Sequence, residues 1–295
     1  MEEFSAAAAS FEEPPFEGVE WDTATHYRGG HEETIAYVVT LDAINFGSGY
    51  FPHLQKRPQM SGYFTVAFSL KQRFDNRGPF SARELREMAP AAVAELFMQP
   101  PGDRVRDELV GHFATALNQL GEFLGARFDG SFAKLLAAAH GSAERLAGIL
   151  IEMPYFKDVA RYDGREIPLL KRAQITPSDL SLAMRGSAPA EFGDLGALTI
   201  FADNLVPHVL RLDGVLEYQP SLVERLARGE LLQAGSPEEV EIRAVALHAV
   251  ELMVAGLRAD GRAVSSRVLD LILWNRGQAE RYRGGSKHRT RTVFY

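Results

Sequence analysis

The sequence predicts a mainly α-helical fold on three observations. Apolar residues recur at three- and four-residue steps over most of the chain beyond residue 80, serine caps precede several of those runs, and strand-like alternation is confined to one short stretch. With 295 residues, 46% hydrophobic and 24% charged, the chain has the composition of an ordinary globular protein with a sizeable core. It contains no fixed-period repeat and no linker with a sharp shift of composition, so a single helical domain over residues 19–295 is expected to follow a loose arm, rich in Ala, Glu and Pro, over residues 1–18.

Taken in order, His31 to Ile44 mixes helix and strand formers and leads into Asn45-Phe46-Gly47-Ser48-Gly49-Tyr50, whose glycines place it on a loop. Phe64, Val66 and Phe68 alternate, which predicts a small β element near residues 60–70. Ser81 and Glu84 have the form of a capping box, so a helix starts there and stops near Ala89-Pro90. Short helices follow over 91–98, 131–139 and 142–152, the last two each opening on a serine. Between the first two, Leu109, Phe113, Leu117 and Leu120 mark a long amphipathic helix over 107–124. Lys171 to Ser178 is less regular, and Ala197 to Leu212 reads as a buried helix interrupted or begun near Pro207. The clearest helices are 220–232 and 237–257, the second with Ser236 as cap, Pro237 at its first position, Glu239 three residues after the cap and Asp260-Gly261 as its stop. A last long helix is expected from Ser265 into Gln278, with Val268, Leu269, Ile272 and Leu273 as its buried stripe.

Composition also excludes. No apolar run approaches the roughly 20 residues that cross a bilayer, and the acidic, Ala-rich start lacks the features of a signal peptide, so a cytoplasmic protein without a membrane partner is expected. The absence of cysteine removes disulfides, thiolate metal sites and cysteine nucleophiles. A formal net charge of −7 argues against a grip on DNA or long RNA, although Arg281, Arg283, Lys287, Arg289 and Arg291 form a basic cluster that would suit one phosphate or serve as a solvated tail. The eight histidines show no metal-ligand spacing, which leaves His26, His208, His248 and His288 as individual candidates, with no metal and no cofactor expected.

Polar residues inside apolar segments are the informative ones, because an unpartnered buried charge costs several kcal/mol in order of magnitude. Asp203, within Leu198-Thr199-Ile200-Phe201-Ala202-Asp203-Asn204-Leu205, is either functional or a helix cap or ion-pair member. Asp42 is a ligand acceptor or a turn former, and Lys171, after Ile167-Pro168-Leu169-Leu170, is a paired ammonium or one that snorkels to water. Asp270 and Trp274, four residues apart, offer an acceptor beside a stacking surface, or a core Trp beside a capped Asp. Glu239, Glu241 and Arg243 read as a surface charge pattern.

Asp42-Ala43-Ile44-Asn45-Phe46, Ser61-Gly62-Tyr63, Lys171-Arg172-Ala173-Gln174-Ile175, Phe201-Ala202-Asp203 with Pro207, Glu239-Val240-Glu241-Ile242-Arg243, Leu269-Asp270 with Leu273-Trp274, and His288-Arg289-Thr290-Arg291 before Tyr295 together closely resemble the queuosine-salvage family, in that family's order, from about Trp21 onward. The resemblance implies a helical fold likened to DNA glycosylases. The activity it implies is hydrolysis of the N-glycosidic bond of queuosine 5′-monophosphate, releasing queuine for tRNA modification. It further implies Asp203 and Lys171 as active-site residues. An Asp at the anomeric carbon would stabilise positive charge on the sugar or position water, and Lys171 would support it. Queuine's amine, diol and flat base call for acceptors and stacking groups, for which Asp42, Asn45, Tyr50, Tyr63, Phe201, Asp270, Trp274 and His26 are candidates, with Lys287, His288, Arg289 and Arg291 for the phosphate. The rival readings are a non-catalytic binding protein or sensor for a modified nucleotide, and a base-excision enzyme acting on DNA.

Overall fold

A computed structural model describes residues 20–185 and 188–295. The arm expected over residues 1–18 lies outside the described residues. Among those described are 13 α-helices and one two-stranded antiparallel sheet, so the mainly helical class holds. They fall into two compact units, interleaved along the chain: an N-terminal unit of residues 20–158, 172–193 and 292–295, and a C-terminal unit of residues 159–171 and 194–291.

The centre of the N-terminal unit is α1 (His31–Ala43), in which every residue from Thr34 to Ala43 is buried. A helix apolar on all sides needs neighbours on all sides, and α1 packs against α2 (Gly62–Arg77), α5 (Arg104–Arg127) and α6 (Phe132–Ala137). The short α3 (Ala82–Arg86) lies along α5, and a Cβ on Gly121 would come within 2.3 Å of the Arg86 backbone nitrogen, which explains the glycine in the middle of α5. Pro90–Leu96 forms α4 and Ala143–Leu150 forms α7. The serines act as the sequence predicts: the Ser81, Ser131 and Ser142 hydroxyls accept the N–H of Glu84, Lys134 and Arg145, and Ser81 with Glu84 closes a capping box.

Residues 60–70 correct the expected β element. They open α2, capped by the Ser61 hydroxyl on the Phe64 N–H, and the buried positions Gly62, Thr65, Val66, Ser69 and Leu70 follow a helical period rather than the alternation of Phe64, Val66 and Phe68. The sheet lies in the C-terminal unit instead, as a hairpin of β1 (Val159–Tyr162) and β2 (Arg165–Pro168) with Val159 opposite Pro168. Its turn is Asp163-Gly164, at φ 47° and 74°, the pair that a two-residue hairpin favours.

After β2, Lys171–Ala183 forms α8. The expected helix over 197–212 is shorter: α9 covers only Val206–Leu212, and residues 198–205 form neither helix nor strand. Pro207 explains the late start, being favoured in a first turn and excluded from a helix interior. Pro220–Ala227 (α10), Pro237–Ala259 (α11), Ser266–Arg276 (α12) and Glu280–Arg283 (α13) complete the unit. Its core gathers Ile200, Ala202, Val206, Val209, Val250, Val254, Leu269 and Leu273 from the 198–205 segment, α9, α11 and α12. Among the described residues, no helix is long and apolar enough to cross a membrane.

Candidate active site

Lacking backbone ladders, residues 201–204 are held by four successive side-chain contacts within the C-terminal unit. The Phe201 N–H donates to Asp270 Oδ1 at 2.8 Å, and the Ala202 carbonyl accepts from Arg243 Nε at 2.8 Å. Asp203 Oδ1 accepts the N–H groups of Leu205 and Val206 at 2.7 and 3.3 Å, an Asx-type turn that starts α9. Asn204 Nδ2 donates to the His288 carbonyl at 3.3 Å. Asp203 therefore leads into a helix whose N-cap is Leu205, is only half-buried, and makes no hydrogen bond through its second oxygen among the described residues.

Two further charges reach the same place. Asp270 is 3% exposed, and its carboxyl is pushed up to about 7 by burial and by the negative charge of Asp203, against the opposing pull of the Phe201 N–H and the Lys171 ammonium. Lys171 does not snorkel: it is 5% exposed and opens α8 directly after Leu170, whose φ of 50° lies in the left-handed region that non-glycine residues seldom adopt. The structure thus brings Asp203, Lys171, Phe201 and Asp270 into one electrostatic group. Trp274 is half-buried against the apolar core, so the core-Trp reading describes part of its ring.

Of the candidates for a phosphate, His288 is 1% exposed, and burial together with Arg243, His208 and Lys287 lowers its imidazole to about 3. It is uncharged at neutral pH and offers a phosphate no positive charge. Arg289 is half-buried with one nitrogen donated to the Gly229 carbonyl at 2.7 Å; Arg291 is half-buried and Lys287 exposed.

The remaining candidates belong to the N-terminal unit. Asp42 is fully buried near the end of α1 and accepts from Asn45 Nδ2 at 3.4 Å. His26 is buried, which lowers its pKa, and its Nδ1 lies 3.1 Å from the Asp22 carbonyl. Its Nε2 shares a hydrogen bond with the Tyr63 hydroxyl at 2.8 Å. Tyr50 is buried and its hydroxyl donates to Glu108 at 2.9 Å.

Sequence reasoning missed one buried charge and misplaced two others. Asp179 is buried on α8 and its charge acts on the Tyr63 phenol, with nothing in its local pattern to flag it. Glu239 and Arg243 are a correction: they are 3% and 2% exposed and pair at 3.3 Å inside the unit, not on a surface. The signal was available, because Glu239, Arg243, Ala246, Val250, Val254 and Leu257 fall on one helical stripe, so the charged pair heads the apolar face of α11.

The sequence model described as "Queuosine salvage protein" matches residues 25–295. This chain belongs to the queuosine-salvage family. As a queuosine-salvage protein it is similar to the queuosine 5′-phosphate N-glycosylase/hydrolase of Sphaerobacter thermophilus, at 40% identity over 93% of this chain and 85% of that protein. Proteins of the same description in Dictyostelium discoideum and Bos taurus are 30% and 29% identical to it, over 90% and 91% of this chain and 79% and 83% of theirs.

Proposed function

We propose that this queuosine-salvage protein is an N-glycosylase that hydrolyses the bond between ribose and base in queuosine 5′-phosphate and releases queuine in the cytoplasm. Its family membership and the description shared by its relatives support the substrate and the bond. The observation that carries the chemistry is the Asp203 carboxylate, fixed through one oxygen at the start of α9 and open at the other, beside a buried Asp270 pushed up to about 7.

Cleavage of a ribosyl C1′–N bond builds positive charge on the sugar before water attacks, so a fixed negative charge at C1′ favours the transition state over the neutral ground state. Burial and the neighbouring charge of Asp203 push the Asp270 carboxyl up to about 7, and Asp203 is the one of the two that we assign to C1′. The open oxygen of Asp203 then faces the sugar and orients or deprotonates the attacking water. Lys171 balances the excess negative charge of the pair and donates to a ribose hydroxyl. Phe201 and Trp274 supply the flat surfaces that a deazaguanine base stacks against, and Lys287, Arg289 and Arg291 are left to meet the phosphate, His288 being neutral.

Incubating the purified protein with queuosine 5′-phosphate, queuosine and a modified tRNA, with free queuine read by mass spectrometry, separates an enzyme from a nucleotide sensor. Release is expected from the nucleotide. Asp203→Asn, which keeps the helix-starting hydrogen bonds, is expected to slow it by about a hundredfold or more, and turnover near that of the native protein would remove Asp203 from the mechanism.

A further inference from the structure

The segment that carries Asp203 has no regular structure, so the direction of that carboxylate depends on what fixes the peptide planes on either side of it. The plane that joins Ala202 to Asp203 contains the Ala202 carbonyl, and that carbonyl accepts from Arg243 Nε at 2.8 Å. Arg243 is itself fixed. Its Nη1 pairs with Glu239 Oε1 at 3.3 Å, one turn earlier on α11, and Glu239 Oε2 accepts the Gly235 N–H at 3.1 Å. A continuous chain of contacts, buried from Glu239 onward, therefore runs from Gly235 through Glu239 and Arg243 to the residue directly before Asp203.

Two physical points separate this chain from ordinary core packing. A buried ion pair adds little or nothing to stability compared with apolar residues of the same size, because desolvation offsets the attraction. The planar guanidinium, moreover, aims at a carboxylate and a carbonyl in two set directions at once, which a lysine ammonium on a flexible stem does not do. We propose that Arg243, braced by Glu239, is a positioning residue that orients Asp203 for catalysis. The proposal rests on the reading of Asp203 as the catalytic carboxylate.

The test uses the full chain and measures steady-state release of queuine from queuosine 5′-phosphate. Arg243→Lys keeps a positive charge for Glu239 and loses the fork. The double variant Arg243→Met with Glu239→Gln removes both charges together, so that neither is left buried alone. Each is expected to lose about 10- to 100-fold in kcat, the scale on which a small misplacement of a catalytic group acts, with KM within about threefold of the native value. In an Asp203→Asn background Arg243→Lys is expected to cost nothing further, because the group it positions is already inactive. A folded variant with kcat within about twofold of native, an equal further loss in the Asp203→Asn background, or failure of both variants to fold would each overturn the positioning role. An inactive native protein would instead refute the enzymatic reading, and this proposal with it.

Discussion

Asp270 and His288 are buried in the same unit, and each holds the neutral form of a group that is ordinarily charged on one side of neutrality. The Asp270 carboxyl rises from 3.8 to about 7. Between those values the native chain keeps a proton that the unfolded chain has released, so this residue's contribution to stability is complete below the lower value and is lost as pH rises through the upper one. His288 runs the other way: its imidazole falls from 6.5 to about 3, so its contribution is present above 6.5 and lost as pH falls towards 3. Asp270→Asn retains an acceptor for the Phe201 N–H and removes only the titration. Relative to the native protein it is expected to gain stability steadily from about pH 4 to pH 7 and to level off above, read from urea midpoints across that range; a constant offset would contradict the assignment.

Helices in this chain are joined at their ends by single polar side chains, and Arg172 is the fullest case. From the first turn of α8 it donates to the carbonyls of Asp42 and Ala43, which end α1, and to those of Tyr155 and Val293, while its guanidinium lies 4.8 Å from the ring centres of both Phe46 and Phe156. The last carbonyls of a helix have no partner within it, so Arg172→Lys leaves some of them unsatisfied and is expected to destabilise the protein by about 2–4 kcal/mol, measured by urea denaturation. Such contacts explain what was legible. Serine caps at 81, 131, 142, 236 and 265 act within three residues of themselves, and the sequence displays them directly. The hairpin at 159–168 was also signalled, by Asp163-Gly164, but its strands are only four residues long and no more than half-buried, so no apolar alternation accompanied the turn. The candidate site was legible where a charge interrupted an apolar run, as at Asp203 and Lys171. Arg243 stayed hidden because its acceptor lies 41 residues away, and Glu239-Arg243 has the spacing of an exposed pair as much as a buried one.

Over the whole chain, the path matters as much as the packing. The N-terminal unit is made of three separated stretches, and its last is only residues 292–295, from which the Val293 carbonyl accepts Arg172 and the Tyr295 carbonyl accepts the Gly47 N–H at 2.9 Å. Tyr295 is 2% exposed, and Tyr295→Ala is expected to cost about 2–4 kcal/mol, detected as faster proteolysis within residues 20–158; unchanged resistance would show that these four residues are dispensable. The adjacent residues Lys171 and Arg172 fall on opposite sides of the division between units, which is how a structural anchor comes to stand next to a candidate catalytic ammonium. The interleaving also bears on biosynthesis. A ribosome delivers most of the N-terminal unit early, then spends the length of residues 194–291 on another body before supplying the final clasp. Throughout that interval the guanidinium of Arg172 lacks one of its acceptors.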